Sequence, residues 1–162
     1  MEESNEVWEK ASTGEKKMVI VSACLAGVNC RYDGKNTYKE ELQKLIESGK
    51  AVLVCPEQLG GLSTPRNPAE IRGDLVIDNE GNDVTEQFTK GAHETMKIAK
   101  LMNCKAAILK KNSPSCGFGE VYDGTFSGIR KKGNGLTGDI LDKHGIKVFN
   151  EENFHEAIKE YI

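Results

Sequence analysis

Apolar residues in this chain fall into short dense runs separated by longer mixed stretches, and the two kinds of segment carry different periods. Met18-Val19-Ile20-Val21-Ser22-Ala23, Ala51-Val52-Leu53-Val54, Ala106-Ala107-Ile108-Leu109 and Ile146-Lys147-Val148-Phe149 are each too short for a helix. Their apolar, largely β-branched character makes them buried strands. Helical spacing predicts helices over Thr37 to Ser48, closed by Gly49, over Thr85 to Asn103, and over Leu136 to His144, closed by Gly145. Glu152 to Tyr161 is a last amphipathic helix. Asp74-Leu75-Val76-Ile77 with Asn79-Glu80-Gly81-Asn82 reads as a small excursion containing a turn. Strands alternating with helices predict an α/β fold, a parallel sheet with helices on both faces.

Composition narrows the class. A chain of 162 residues suits one core, and halving it would leave pieces too small to fold unaided. The reading is a polar N-terminal tail over 1–17, solvated or a frayed helix, with loose docking by Trp8 the less favoured alternative, followed by a single α/β domain over 18–162. With 22 basic against 25 acidic residues and a net charge of -3, no broad cationic face awaits a phosphate backbone, so nucleic acid is not the expected partner. No apolar run approaches the roughly 20 residues of a membrane span, and Met1 to Lys17 is too polar for a signal peptide. A cytoplasmic protein is expected. Five cysteines is an odd number, and in a reducing compartment thiols in loops are read as metal-binding or catalytic.

Their placement carries the argument. The loops Cys24 to Asn36, Cys55 to Gly73 and Lys110 to Gly133 are long, whereas loops in compact α/β units run roughly two to six residues. Each starts at the C-terminal end of a predicted strand, the edge at which open parallel sheets bind ligands. Cys24, Cys55 and Cys116 lie one in each loop, which is an awkward coincidence for ordinary buried cysteines. Without a local CxxC pair they do not resemble a zinc finger or ribbon. They suit a cubane cluster, which normally takes four thiolates. With three, one iron keeps an exchangeable position. Cys30, six residues beyond Cys24, is read as a nearby non-ligand, the alternative being a place on the fourth iron; Cys104 is core filler.

Glu57 follows Cys55-Pro56, where proline fixes the backbone and aims a carboxylate toward the metal, the position for a general base. In Ser113-Pro114-Ser115-Cys116-Gly117 the hydroxyls either pass protons or cap backbone amides, and Gly117 lets the chain approach a bulky inorganic group. Arg31, Asp33, Arg66 and Glu70 share these loops as candidate substrate contacts. Gly133-Asn134-Gly135-Leu136-Thr137-Gly138 spells GxGxxG, but Arg130-Lys131-Lys132 before it does not read as the strand a dinucleotide site demands. A milder reading sets Gly135 and Thr137 at a helix N-terminus facing the cluster pocket. His93, His144 and His155 have no partner pattern and are read as surface residues.

Taken in order, Ser22-Ala23-Cys24 through Asp33-Gly34, Cys55-Pro56-Glu57-Gln58-Leu59-Gly60-Gly61, Ser113 to Gly117 and Tyr122-Asp123-Gly124-Thr125-Phe126 resemble the thiouracil desulfurase family over about Met18 to Asn150. The resemblance implies a Rossmann-like domain with a [4Fe-4S] cluster on Cys24, Cys55 and Cys116, and Glu57 and Ser113 as the catalytic pair. It also implies a thiolated pyrimidine, such as 2-thiouracil, as substrate. On that expectation the open iron acts as Lewis acid on the thiocarbonyl, Glu57 activates water, Ser113 moves protons, and sulfide leaves without net electron transfer. An iron–sulfur redox protein without organic substrate and a structural zinc protein are the rival classes.

Overall fold

The structure is a computed structural model describing residues 17–161. The polar tail and Trp8 lie outside the described residues apart from Lys17. The strands are β1 (Met18–Ser22), β2 (Ala51–Val54), β3 (Ala69–Arg72), β4 (Leu75–Asp78), β5 (Cys104–Ile108), β6 (Glu120–Tyr122), β7 (Arg130–Lys132) and β8 (Lys147–Phe149). The α-helices are α1 (Gln43–Glu47), α2 (Pro56–Leu59), α3 (Thr85–Leu101), α4 (Leu136–Lys143) and α5 (Phe154–Tyr161).

The four runs read as strands build one parallel sheet in the order β2-β1-β5-β8. Alternation along each strand sorts its side chains between two cores. Val19 and Val21 of β1, with Ala106 and Ile108 of β5, pack under Leu45 of α1 and Phe154 and Ala157 of α5. Ile20 and Ala107 point the other way, with Leu109, beneath Met96 and Ala99 of α3 and Leu141 of α4. Fully burying each large aliphatic or aromatic side chain is worth about 1.5–3 kcal/mol, so helices on both faces hold the sheet.

Four local expectations change. The helix expected from Thr37 begins only with a 3-10 turn at Glu40, followed by α1. The amides of Thr37 and Lys39 are already taken by the carbonyls of Cys24 and Leu25, at 3.0 and 2.9 Å. Strand β2 is an edge rather than a buried strand, and Leu53 is 41% exposed. The small excursion has a second arm, since β3 pairs antiparallel with β4 across Gly73. Finally, Arg130-Lys131-Lys132 is a strand, paired antiparallel with β6. It belongs to an exposed two-stranded ribbon, not to the parallel sheet, so the GxGxxG run still lacks the βαβ setting that a dinucleotide site requires.

Candidate functional site

From β1 the chain moves to β2 on one side, then returns to place β5 on the other. The crevice at the carboxyl ends of β1 and β5 is therefore a topological switch point, where doubly wound sheets bind ligands. Cys24 lies in the 3-10 turn that follows β1, Cys55 is the N-cap of α2 directly after β2, and Cys116 sits in the loop beyond β5. All three line one cavity of about 430 Å³, together with Cys30, Glu57 and Ser113. The convergence expected of the three loops is present.

Ser22, buried at the end of β1, ties the cysteine loops together. Its hydroxyl donates to Cys116 Sγ at 3.2 Å and accepts the Lys110 amide at 2.9 Å. Cys30 is 1% exposed and lies between Cys24 and Cys55. Its side-chain hydrogen bonds to Cys24 and then Cys55, followed by burial, push its own thiol far up. The same Cys30 hydrogen bond lowers the Cys24 thiol, outweighing burial, with smaller help from Thr37 and Lys110. At Cys55 the hydrogen bond from Cys30, against burial and assisted by the Gln58 amide and Arg66, brings the thiol down to about 6. Burial pushes Cys116 up to about 12 despite the Ser22 hydroxyl, so a metal there must displace the proton.

The donor set fits a polynuclear iron–sulfur group. Among the described residues no three Cys, His, Asp or Glu side chains close on one point as a single ion would need. A tetrahedral zinc holds each sulfur at about 2.3 Å, which crowds its ligands together. A cubane gives each thiolate a different iron, and three cysteines lining one cavity from three separate loops suit that arrangement.

Glu57 contacts Ser115 directly and reaches Ser113 through it. Ser115 Oγ donates to Glu57 Oε2 at 2.8 Å and lies 2.9 Å from Ser113 Oγ. Ser113 Oγ in turn accepts the amides of Ser115 and Cys116, each at 3.1 Å. Of the two roles weighed for this segment, amide capping is present, and the two hydroxyls also form a hydrogen-bonded chain to Glu57. On the other side, Arg66 Nε donates to Glu57 Oε1 at 2.9 Å, while its remaining nitrogens reach the carbonyls of Cys30 and Ser63 and the Thr64 hydroxyl. Arg66 is a buried part of the site. Arg31 also borders the cavity, with Asp33 3.6 Å from it at the rim.

Glu70 borders the cavity too, but its carboxylate accepts the amides of Gly124 and Phe126. Lys110, unremarked in the sequence, lines the site and pairs with Glu151 at 2.8 Å. The first amides of α4 do not face a ligand, because Leu136, Thr137 and Gly138 donate to the carbonyls of Pro114 and Ser115. Gly135 is fitted to this contact, since a Cβ there would collide with the Ser113 and Ser115 carbonyls. Cys104 opens β5 inside the core, where burial pushes its thiol to about 12. None of the three histidines lines the cavity.

Fold and site together define a doubly wound α/β protein with a cysteine-lined, carboxylate-bearing metal-centre crevice at its switch point. The chain belongs to the 2-thiouracil desulfurase family, whose model matches residues 19–153. It is 44% identical over 151 residues to the uncharacterised protein YbbK of Bacillus subtilis strain 168, covering 87% of this chain and 100% of that protein. Among solved structures, the [4Fe-4S]-dependent thiouracil desulfidase TudS superposes with a TM-score of 0.84 at 43% identity, covering 87% of this chain and 95% of the other. No helix among the described residues is long and apolar enough to cross a membrane.

Proposed function

We propose that this protein, as one α/β unit from residue 18 onward, desulfurates thiolated pyrimidines such as 2-thiouracil in a reducing compartment. Water replaces the thiocarbonyl sulfur, leaving a carbonyl and hydrogen sulfide, so atoms balance and no electrons are exchanged. The observation that carries this reading is the Glu57 carboxylate in the same cavity as the three loop cysteines, with a serine donating to one oxygen and an arginine to the other.

Cys24, Cys55 and Cys116 would hold a [4Fe-4S] cluster. When bound, a cluster with three protein ligands supplies a Lewis acid that polarises the thiocarbonyl. Glu57 takes a proton from the attacking water. Each carboxylate oxygen has two lone pairs, so its bonds to Arg66 and Ser115 leave room for that water. Ser115 and Ser113 pass the proton from Glu57 on toward the departing sulfur, which leaves as hydrogen sulfide, and Ser113 also keeps the Cys116 loop in shape. Cys30, buried beside Cys24 and Cys55, is a neighbour of the cluster rather than a ligand.

The test is anaerobic iron and sulfide analysis followed by sulfide release from 2-thiouracil and 4-thiouracil. Glu57→Gln should keep its cluster and lose turnover by about 10²–10⁴-fold, the usual worth of general acid–base catalysis. Cys116→Ala should lose both cluster and activity. A cluster-free Cys116→Ala protein that still releases sulfide would overturn the assignment.

A further inference from the structure

The stretch Tyr122-Asp123-Gly124-Thr125-Phe126 has no part in the chemistry above, yet the fold spends several interactions on it. Its backbone leaves β6, turns, and rejoins β7 through the Asp123 amide and the Ile129 carbonyl at 2.9 Å. Within the turn the chain is pressed onto the β3–β4 hairpin. Oε1 of Glu70, a residue only 9% exposed, accepts both the Gly124 amide at 2.9 Å and the Phe126 amide at 3.1 Å. Arg72 Nε donates to the Gly124 carbonyl at 2.7 Å, and its guanidinium lies 5.7 Å from the centre of the Phe126 ring. Gly124, at φ +93°, touches the hairpin so closely that a Cβ would come within 2.8 Å of Arg72 Cγ and the Ile71 carbonyl.

The product of this clamp is Phe126 at φ 55°, a left-handed backbone on a bulky residue. Such a conformation costs about 1–2 kcal/mol and persists only where its surroundings over-determine it. A phenylalanine that merely filled space would not need it. Phe126 borders the same cavity as the cysteines and Glu57, with Tyr122 beside it.

We infer that Phe126 is the wall on which the planar heterocycle of the substrate stacks, and that Glu70 is a positioning residue that holds Phe126 there. The inference rests on the desulfuration reading. A pyrimidine has two apolar faces and a polar edge. Stacking one face on Phe126 leaves the edge that carries the sulfur free to turn toward the cysteines and Glu57. Arg72, over the ring, fixes its orientation from within the protein.

The experiment compares kcat and KM for 2-thiouracil in cluster-loaded wild type, Phe126→Ala, Phe126→Trp, Glu70→Gln and Glu70→Ala. Phe126→Ala should raise KM about tenfold, in line with the loss of one base–aromatic stack, with kcat within about twofold. Phe126→Trp should restore KM. Glu70→Ala should raise KM similarly and add little when combined with Phe126→Ala, whereas Glu70→Gln, which keeps an acceptor oxygen, should lie near wild type. A Phe126→Ala protein with wild-type KM, or one that loses kcat alone, overturns the inference and leaves the desulfuration reading standing. Wild type with a full cluster and no sulfide release overturns both.

Discussion

The Ser115 hydroxyl donates to Oε2 of Glu57 across 58 residues of sequence, at 2.8 Å, and so links the loop after β5 to the helix after β2. Ser113, the serine implied by family resemblance, stands one hydrogen bond further back. The order Ser113, Ser115, Glu57 gives the two hydroxyls different duties, and single substitutions should separate them.

Ser115→Ala should lower kcat about ten- to a hundredfold with iron content unchanged, because it removes the hydroxyl between Glu57 and Ser113 while the amides of Ser115 and Cys116 keep their acceptor. Ser113→Ala should in addition lower the iron bound per chain, since the amides of Ser115 and Cys116 lose their acceptor. Iron analysis alongside steady-state sulfide release distinguishes the two outcomes.

Arg66 is held by four acceptors, and its side chain is only 6% exposed. Removing it as Ala strands the partly buried Glu57 carboxylate and should destabilise the protein by about 3 kcal/mol. Arg66→Lys should fold and keep its cluster but lose kcat at least about tenfold. A lysine offers a point charge where the guanidinium presents a planar fork to several partners at once. Thermal melts and kcat measured on the same preparations check both statements.

Gly91 sits in the middle of α3, where glycine costs about 1 kcal/mol relative to alanine. Its role is contact, since a Cβ would run into the Pro56 carbonyl, while Gly60 is fitted in the same way against the Gln87 carbonyl. The backbones of α2 and α3 thus touch directly beneath Cys55 and Glu57. Gly91→Ala should lower stability by about 1–3 kcal/mol despite its helix propensity, because the obstacle is main chain and cannot swing aside. A drop in melting temperature with reduced iron content is the expected readout.

Much of this could be read from the chain because the parallel strands are short apolar runs and the long loops start where those runs end. That placed Cys24, Cys55 and Cys116 at one rim without any contact being known. The small ribbons were opaque for a physical reason. Arg130-Lys131-Lys132 has no buried side chain and β6 buries only Val121, so neither carries a periodic signal. Helix α1 starts late because tertiary hydrogen bonds from Thr37 and Lys39 override local propensity. The choice between Ser113 and Ser115 was equally hidden, since two hydroxyls flanking Pro114 differ only in where the turn points them. Phe126 stood in the sequence only as the end of a family motif, with no role attached, because its left-handed backbone and its bond to Glu70, 56 positions away, leave no mark on the local pattern.

The strand order has a consequence for how the protein is made. The three thiols proposed to hold one inorganic group follow the first, second and third strands of the parallel sheet in chain order, and the third strand cannot dock before α3 has been synthesised. A nascent polypeptide leaving the ribosome therefore exposes Cys24 and Cys55 well before Cys116 can join them. On the proposed assignment iron delivery would wait for near-complete translation, and a chain cut between Cys55 and Cys116 would carry two of the three proposed ligands with no means of keeping a cluster.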